Sequence, residues 1–267
     1  MDTKLIYDYA YIYVIYGCIH LFSDIILTRS FSKKAIQKLS RDDRIDLGEK
    51  VSSAVNGLIT GILSLYIVFY QNAFKGDIYN PYNPYMDTFF TNLVAYSLYD
   101  LTVMHFQNND ITFHIHHWCA LIGSILAPIY KDGCFFPVIF GITELTVITN
   151  NFTWYLQRLG FKDTELYQNS LFLRAVVFTL IRPFCGVYAI YYAIQNPGPI
   201  PSAYPVSSIQ DLTLLDKISV SWANFMNMHI VPRVLNFIFP LMFVLLNFAW
   251  TYVILSNYMK KTKTRID

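Results

Sequence analysis

Seven stretches of this 267-residue chain are almost devoid of charge: 5–27, 51–70, 87–106, 111–130, 133–157, 171–195 and 231–256. Each is close to the ~20 residues with which a helix crosses about 30 Å of hydrocarbon. In lipid, every backbone amide must find its partner within its own segment, so such runs fold as helices and not as open strands. The expected fold class is therefore all-α, a polytopic transmembrane bundle of seven helices. Only 14% of the residues are charged, against about a quarter in soluble domains.

Charge placement gives the bundle a direction. Seven basic residues lie between the first two runs (Arg29, Lys33, Lys34, Lys38, Arg41, Arg44, Lys50). Arg158 and Lys162 follow the fifth run, and Lys260, Lys261, Lys263 and Arg265 form the tail. An odd number of spans puts all of these on one side, leaving Lys4, Lys75, Lys131 and Lys217 on the other. By the positive-inside rule, the basic first loop and the C-terminus face the cytosol, or the matrix in an inner mitochondrial protein. The start, MDTKLIYDYAYIY, lacks a signal peptide's basic region and cleavage site and reads as a retained span. The expected organisation is a first helix and basic loop over 1–44, a membrane domain over 45–260 and a basic tail over 261–267. No basic stripe of the nucleic-acid-binding kind is present. Cys18, Cys119, Cys134 and Cys185 form no CxxC pair and read as small apolar residues.

Between the last two runs, NPGPIPSAYPVSS is broken by prolines. After it, Ile209, Leu212, Leu215, Ile218 and Trp222 recur at helical spacing. This predicts a short amphipathic helix, lying in the membrane interface or over the mouth of the bundle.

Ionisable groups within spans are costly, and they face a cavity or one another. Here they are Asp100 and His105 in the third run, His114, His116 and His117 opening the fourth, Glu144 in the fifth, and Arg174 and Arg182 in the sixth. Asn56, Asn150, Asn151 and Asn247 join them. The reading predicts His116 or His117 within hydrogen-bonding or one-water reach of Asp100 or Glu144. No metal is expected: His114 and His117 share a helix face, but the chain has six histidines in all, with His20 and His229 in unrelated places. A histidine beside a buried carboxylate can act as acid, base or acyl acceptor. The competing possibility is that these groups only satisfy one another and fix the register of the helices.

Read in order, the polar motifs resemble one family. EKVSSAVNGLITGILSLY, AYSLYDLTVM, FHIHHWCALIGSIL, FGITELTVITNNFTWYLQRLG, FLRAVVFTLIRPF and LNFAWTYVI are similar to six successive elements of the TLC-domain membrane proteins. That family includes ceramide synthases, TRAM-type proteins and smaller seven-helix members. The resemblance covers about residues 45–260 and is closest to the small seven-helix proteins. It places Asp100 on the family aspartate, His116 and His117 on the histidine pair, and Glu144, Asn151 and Arg182 on further motif positions. Asn56 stands where the family has a histidine, Thr153 precedes Trp154 where an arginine is usual, and the acidic segment of ceramide synthases is absent.

The resemblance implies a protein that binds or processes membrane lipids. By analogy with the ceramide-synthase branch, His116 or His117, oriented by Asp100, would transfer an acyl group from acyl-CoA to an amine or lysolipid. Glu144, Asn151, Arg182 and Asn56 would then hold the lipid headgroup. No bound cofactor is implied beyond acyl-CoA as co-substrate. The alternative is a catalytically inactive accessory subunit of a large membrane complex, with neighbouring subunits as partners. The endoplasmic reticulum is the location the resemblance implies, and the mitochondrial inner membrane suits the alternative.

Overall fold

A computed structural model describes residues 3–30, 36–79, 82–107, 111–202, 204 and 208–263. Lys33 and Lys34 of the basic loop and Arg265 of the tail fall outside the described residues. The fold is all-α: among the described residues there is no strand, only an isolated bridge between Asp77 and Pro197.

The first helix, α1 (Thr3–Ser30), leans on the bundle through tyrosines. Tyr16 is almost wholly buried, stacked on Tyr99 and edge-on to Tyr96. Helix α2 (Arg41–Leu65) begins ten residues before the apolar run that marks it in the sequence. The Ser40 side chain caps it by accepting from the Asp43 amide at 3.0 Å. Asp42 and Asp43 in the first turn suit the positive end of the helix. A π-helical turn, Tyr66–Tyr70, ends it.

Helix α3 (Pro84–His105), with Pro84 in its first turn and Asn83 as its cap, runs through the middle of the bundle. Helix α4 (Ile111–Tyr130) returns antiparallel beside it, and this is the most extensive helix pair in the fold. The fifth apolar run is broken. It comprises α5 (Phe135–Phe140), a 3-10 turn Gly141–Leu145, and α6 (Thr146–Arg158). The long α7 (Glu165–Gln195) and α9 (Ile230–Lys263) pack against each other.

The break in the fifth run follows from the small residues opposite it. A Cβ on Gly57 would lie 2.7 Å from the carbonyl oxygen of Glu144, and one on Gly61 would meet the Leu145 side chain. Gly141 lies as tightly against Ser64 and Phe89. Glycines four apart on α2 thus let the 3-10 turn press onto the helix backbone, a close approach that small residues permit in membrane bundles.

Among the described residues, five segments are long and apolar enough to cross a membrane by length and composition: Leu5–Arg29, Arg41–Tyr70, Phe135–Arg158, Glu165–Gln195 and Ile230–Met259. The sequence predicts seven. The other two, α3 and α4, have 22 and 20 residues, so their length suffices. They fall short in hydropathy because they carry Asn92, Asp100 and three histidines. For α3 the reason is physical, since most of it faces other helices and not lipid.

At the end of the bundle away from the α3–α4 turn, the two long connections are knitted together. Gly198 N–H donates to the Gly76 carbonyl at 3.0 Å, and Gly76 N–H to Asn196 Oδ1 at 2.7 Å. Helix α8 (Leu214–Asn227), started by a Thr213–Asp216 capping box, lies over them. It is the short helix expected before the last span.

Candidate functional site

Asp100 lies near the end of α3 and His117 near the start of α4, and the antiparallel packing of the two helices sets the side chains face to face. His117 Nε2 stands 2.8 Å from Asp100 Oδ2. The second oxygen of Asp100 accepts from the Tyr96 hydroxyl at 3.4 Å. The expected contact between the histidine pair and a carboxylate is therefore present, at His117. A carboxylate accepts, so in the neutral ring the proton sits on Nε2 and the Nδ1 lone pair is free of that contact.

His116 packs edge-on against His117 and Trp250 and lies beside Phe243. His114, three residues before His117, is not part of this wall.

Both His116 and His117 line a cavity of about 140 Å3. Asn56, Thr60, Tyr96, Ser97 and Glu144 complete its polar end. From there it continues between α4 and α9 past Gly123, Ala127, Phe239 and Pro240 to Gly133 and Asn236. From His117 to Ala127 alone, ten residues of helix cover about 15 Å. The site is a slot with a polar end and an apolar length, bounded by α9, which packs mainly on α7 and only lightly on α4.

The remaining sequence-selected residues divide into two groups. Asn56 and Glu144 lie on the cavity wall. Asn56 Oδ1 also accepts from Asn92 Nδ2 at 3.0 Å and Thr60 Oγ1 at 3.0 Å, and lies 3.5 Å from the Tyr16 hydroxyl. Asn151 and Arg182 lie behind the wall. Asn151 Nδ2 donates to the Lys50 carbonyl at 2.7 Å and to Ser53 Oγ at 3.3 Å, fastening α6 to α2. Arg182 Nε donates to Thr146 Oγ1 at 2.8 Å and a terminal nitrogen donates to Asn247 Oδ1 at 2.9 Å. Its guanidinium lies over the rings of Phe178 and Trp250. Through Trp250 it borders His116 without reaching the cavity. Among the described residues, no group of three or more His, Cys, Asp or Glu side chains is arranged to hold a metal ion.

Two features of the site are absent from the sequence reading. Tyr16 and Asn92 complete the Asn56 network, with Tyr16 donating to Asn92 Oδ1 at 2.8 Å. Glu49 and Lys50 form a 2.6 Å ion pair next to the dyad. The signal for the second was the spacing of Asp43, Asp46 and Glu49, three apart on one side of a helix that starts earlier than its apolar run.

An all-helical membrane bundle with a histidine–carboxylate pair at the polar end of an apolar slot is the class of protein that fold and site define. The TLC domain family matches residues 46–256, and the chain belongs to that family. No curated protein matches the chain.

Proposed function

We propose that this TLC-domain protein binds a membrane lipid in the slot and acts on it at His117. The observation that carries the reading is the position of His117, held by Asp100, among the polar side chains that cluster at one end of a mainly apolar cavity. An acyl chain would lie along α4 and α9, with its carbonyl or headgroup among His116, His117, Glu144 and Asn56. With its Nε2 proton held by Asp100, His117 can offer Nδ1 as a base toward an amine or hydroxyl, or as acceptor of an acyl group. The favoured chemistry is acyl transfer from acyl-CoA to an amine or lysolipid. The positive-inside pattern supports an orientation with the α3–α4 turn toward the cytosol, where acyl-CoA is found. The endoplasmic reticulum is the proposed location.

The test supplies the purified protein in bilayers with long-chain acyl-CoA and a panel of amine and lysolipid acceptors. Turnover that falls at least about 100-fold in His117→Ala, the scale of general acid–base catalysis, supports the reading. Turnover unchanged in the His116→Ala/His117→Ala double variant overturns it.

One observation favours a second reading, an inactive accessory subunit of a membrane complex. Asn56 replaces the histidine of the resembling proteins and its side-chain oxygen is taken up by Asn92 and Thr60, a structural use. Purification with a stoichiometric set of other subunits, and no turnover, would favour this alternative. The mitochondrial inner membrane would then be a fitting location.

A further inference from the structure

Of the two arginines on α7, Arg182 is fully engaged by Thr146 and Asn247, whereas Arg174 is not. Arg174 is half-buried. Its Nε is shielded from solvent and meets no hydrogen-bond acceptor, and among the described residues no carboxylate pairs with its guanidinium. Asn150 on α6 is in a similar state, with its Oδ1 buried and meeting no donor. The two belong to one groove. Helices α6 and α7 are tied by Thr153 Oγ1 donating to the Ser170 carbonyl at 3.2 Å and by Arg182 Nε donating to Thr146 Oγ1 at 2.8 Å. Asn150 lies between the two tied residues of α6, and Arg174 between the two of α7, so they sit at about the same level.

An arginine keeps its charge, so within a span it needs an anion or water. With 31 residues, α7 is about 46 Å long, roughly 16 Å more than the hydrocarbon core. Shared between its two ends, this excess leaves the Arg174 backbone about 5 Å inside the hydrocarbon. Side chains on a helix lean toward its N-terminus, here the end that carries Arg158 and Lys162. The guanidinium can therefore rise to the headgroup level while its stem stays in the apolar layer. Ile148 and Phe152 on α6 and Leu173 and Leu180 on α7 are exposed, giving acyl chains an apolar bed along the two helices. A water-soluble anion would have to give up its hydration to enter such a place, whereas a lipid phosphate already resides there.

We propose that Arg174 and Asn150 form a binding site for the phosphate of an anionic phospholipid, seated between α6 and α7 in the leaflet that faces the basic loops. The planar guanidinium offers paired donors to the phosphate oxygens, and the Asn150 amide takes a neighbouring polar atom of the headgroup. Neither residue lies on the wall of the slot, so the site stands or falls independently of any chemistry at His117.

The experiment measures how much spin-labelled lipid the full chain immobilises in phosphatidylcholine bilayers, with the label on phosphatidylserine or on phosphatidylcholine. The wild type should favour the anionic lipid about five-fold, the scale of one basic side chain at an anionic headgroup. A contact inside a groove is weakly screened, so the preference should persist at about 1 M salt, where surface charges act over only about 3 Å. Arg174→Gln should abolish the preference, and Arg174→Lys, a charge without the paired donors, should keep part of it. Lys162→Gln removes an exposed cation from the connection between α6 and α7 and should leave the preference nearly unchanged. No preference in the wild type, its loss at high salt, its survival in Arg174→Gln or an equal loss in Lys162→Gln would each overturn the proposal. Displacement of the labelled lipid by millimolar inorganic phosphate would also overturn it, by showing that the site takes a water-soluble anion. The wild-type salt and phosphate measurements decide the matter even if a variant fails to fold.

Discussion

Gly57 of α2 and the backbone carbonyl of Glu144 stand so close that a Cβ on the glycine would come within 2.7 Å of the oxygen. The partner atom belongs to a 3-10 turn, not to the far end of a side chain, so it has no rotamer by which to retreat. The contact holds Glu144 on the cavity wall beside Asn56, the residue before Gly57.

Gly57→Ala should therefore destabilise the fold by about 1–3 kcal/mol, the usual cost of overpacking a tight contact. Reversible unfolding in mixed micelles checks it. Gly17 is the comparison, since a Cβ there meets nothing within 4 Å. Gly17→Ala should be neutral or slightly stabilising, because alanine favours the helix.

Asp100 and His117 make a different prediction. Removing one member of a buried pair leaves the other without its partner, at a cost of about 3–5 kcal/mol. Asp100→Ala should lose stability on that scale. His117→Ala should also be destabilising, since Asp100 keeps Tyr96 but loses its shortest hydrogen bond. The double variant should be less destabilised than the sum of the two, and a double-mutant cycle in micelles measures that difference. Additive effects would mean that the pair is uncoupled.

This pair was legible in the sequence because its members lie near the facing ends of two successive apolar runs only a few residues apart, which pack as antiparallel helices. The other site residues needed three dimensions. Nothing in the sequence distinguishes Asn151, which fastens to the Lys50 backbone, from Glu144, which faces the cavity. Both are polar residues in one apolar run. The break at Gly141–Leu145 was equally hidden, because its cause lies on α2, about 85 residues earlier. Glu49 escaped notice for a simpler reason. A count of apolar residues starts the second span at 51, whereas Ser40 and the acids after it start the helix at Arg41.

Arg182 should resist conservative replacement. Its planar guanidinium donates along two directions at once, to Thr146 and Asn247, while lying over two aromatic rings. A lysine ammonium is a compact, strongly hydrated charge that does not reproduce this fork. Arg182→Lys should cost about 1–3 kcal/mol, the penalty for leaving buried polar partners unmet. Thermal unfolding of the purified variant gives the answer, and a Tm equal to that of the wild type would mean that the two hydrogen bonds contribute nothing.

The last prediction concerns depth in the bilayer. Helix α8 is tied to the knitted connections by one face: Ser221 meets the Tyr79 hydroxyl at 2.5 Å, Asn224 donates to the Pro197 carbonyl at 2.8 Å, and Val220 is fully buried. The opposite face leaves Leu215 76% and Trp222 58% exposed, with Leu214 and Ile218 beside them. A helix fixed by its polar side, with a tryptophan and leucines turned outward between two long apolar helices, fits the headgroup boundary and not bulk water. With Trp118, Trp154 and Trp250 replaced by phenylalanine, Trp222 fluorescence in vesicles should be quenched by lipids brominated near the glycerol. Bromines near the chain ends should quench it much less. Strong quenching by iodide in the aqueous phase, with none by either lipid, would place α8 in water.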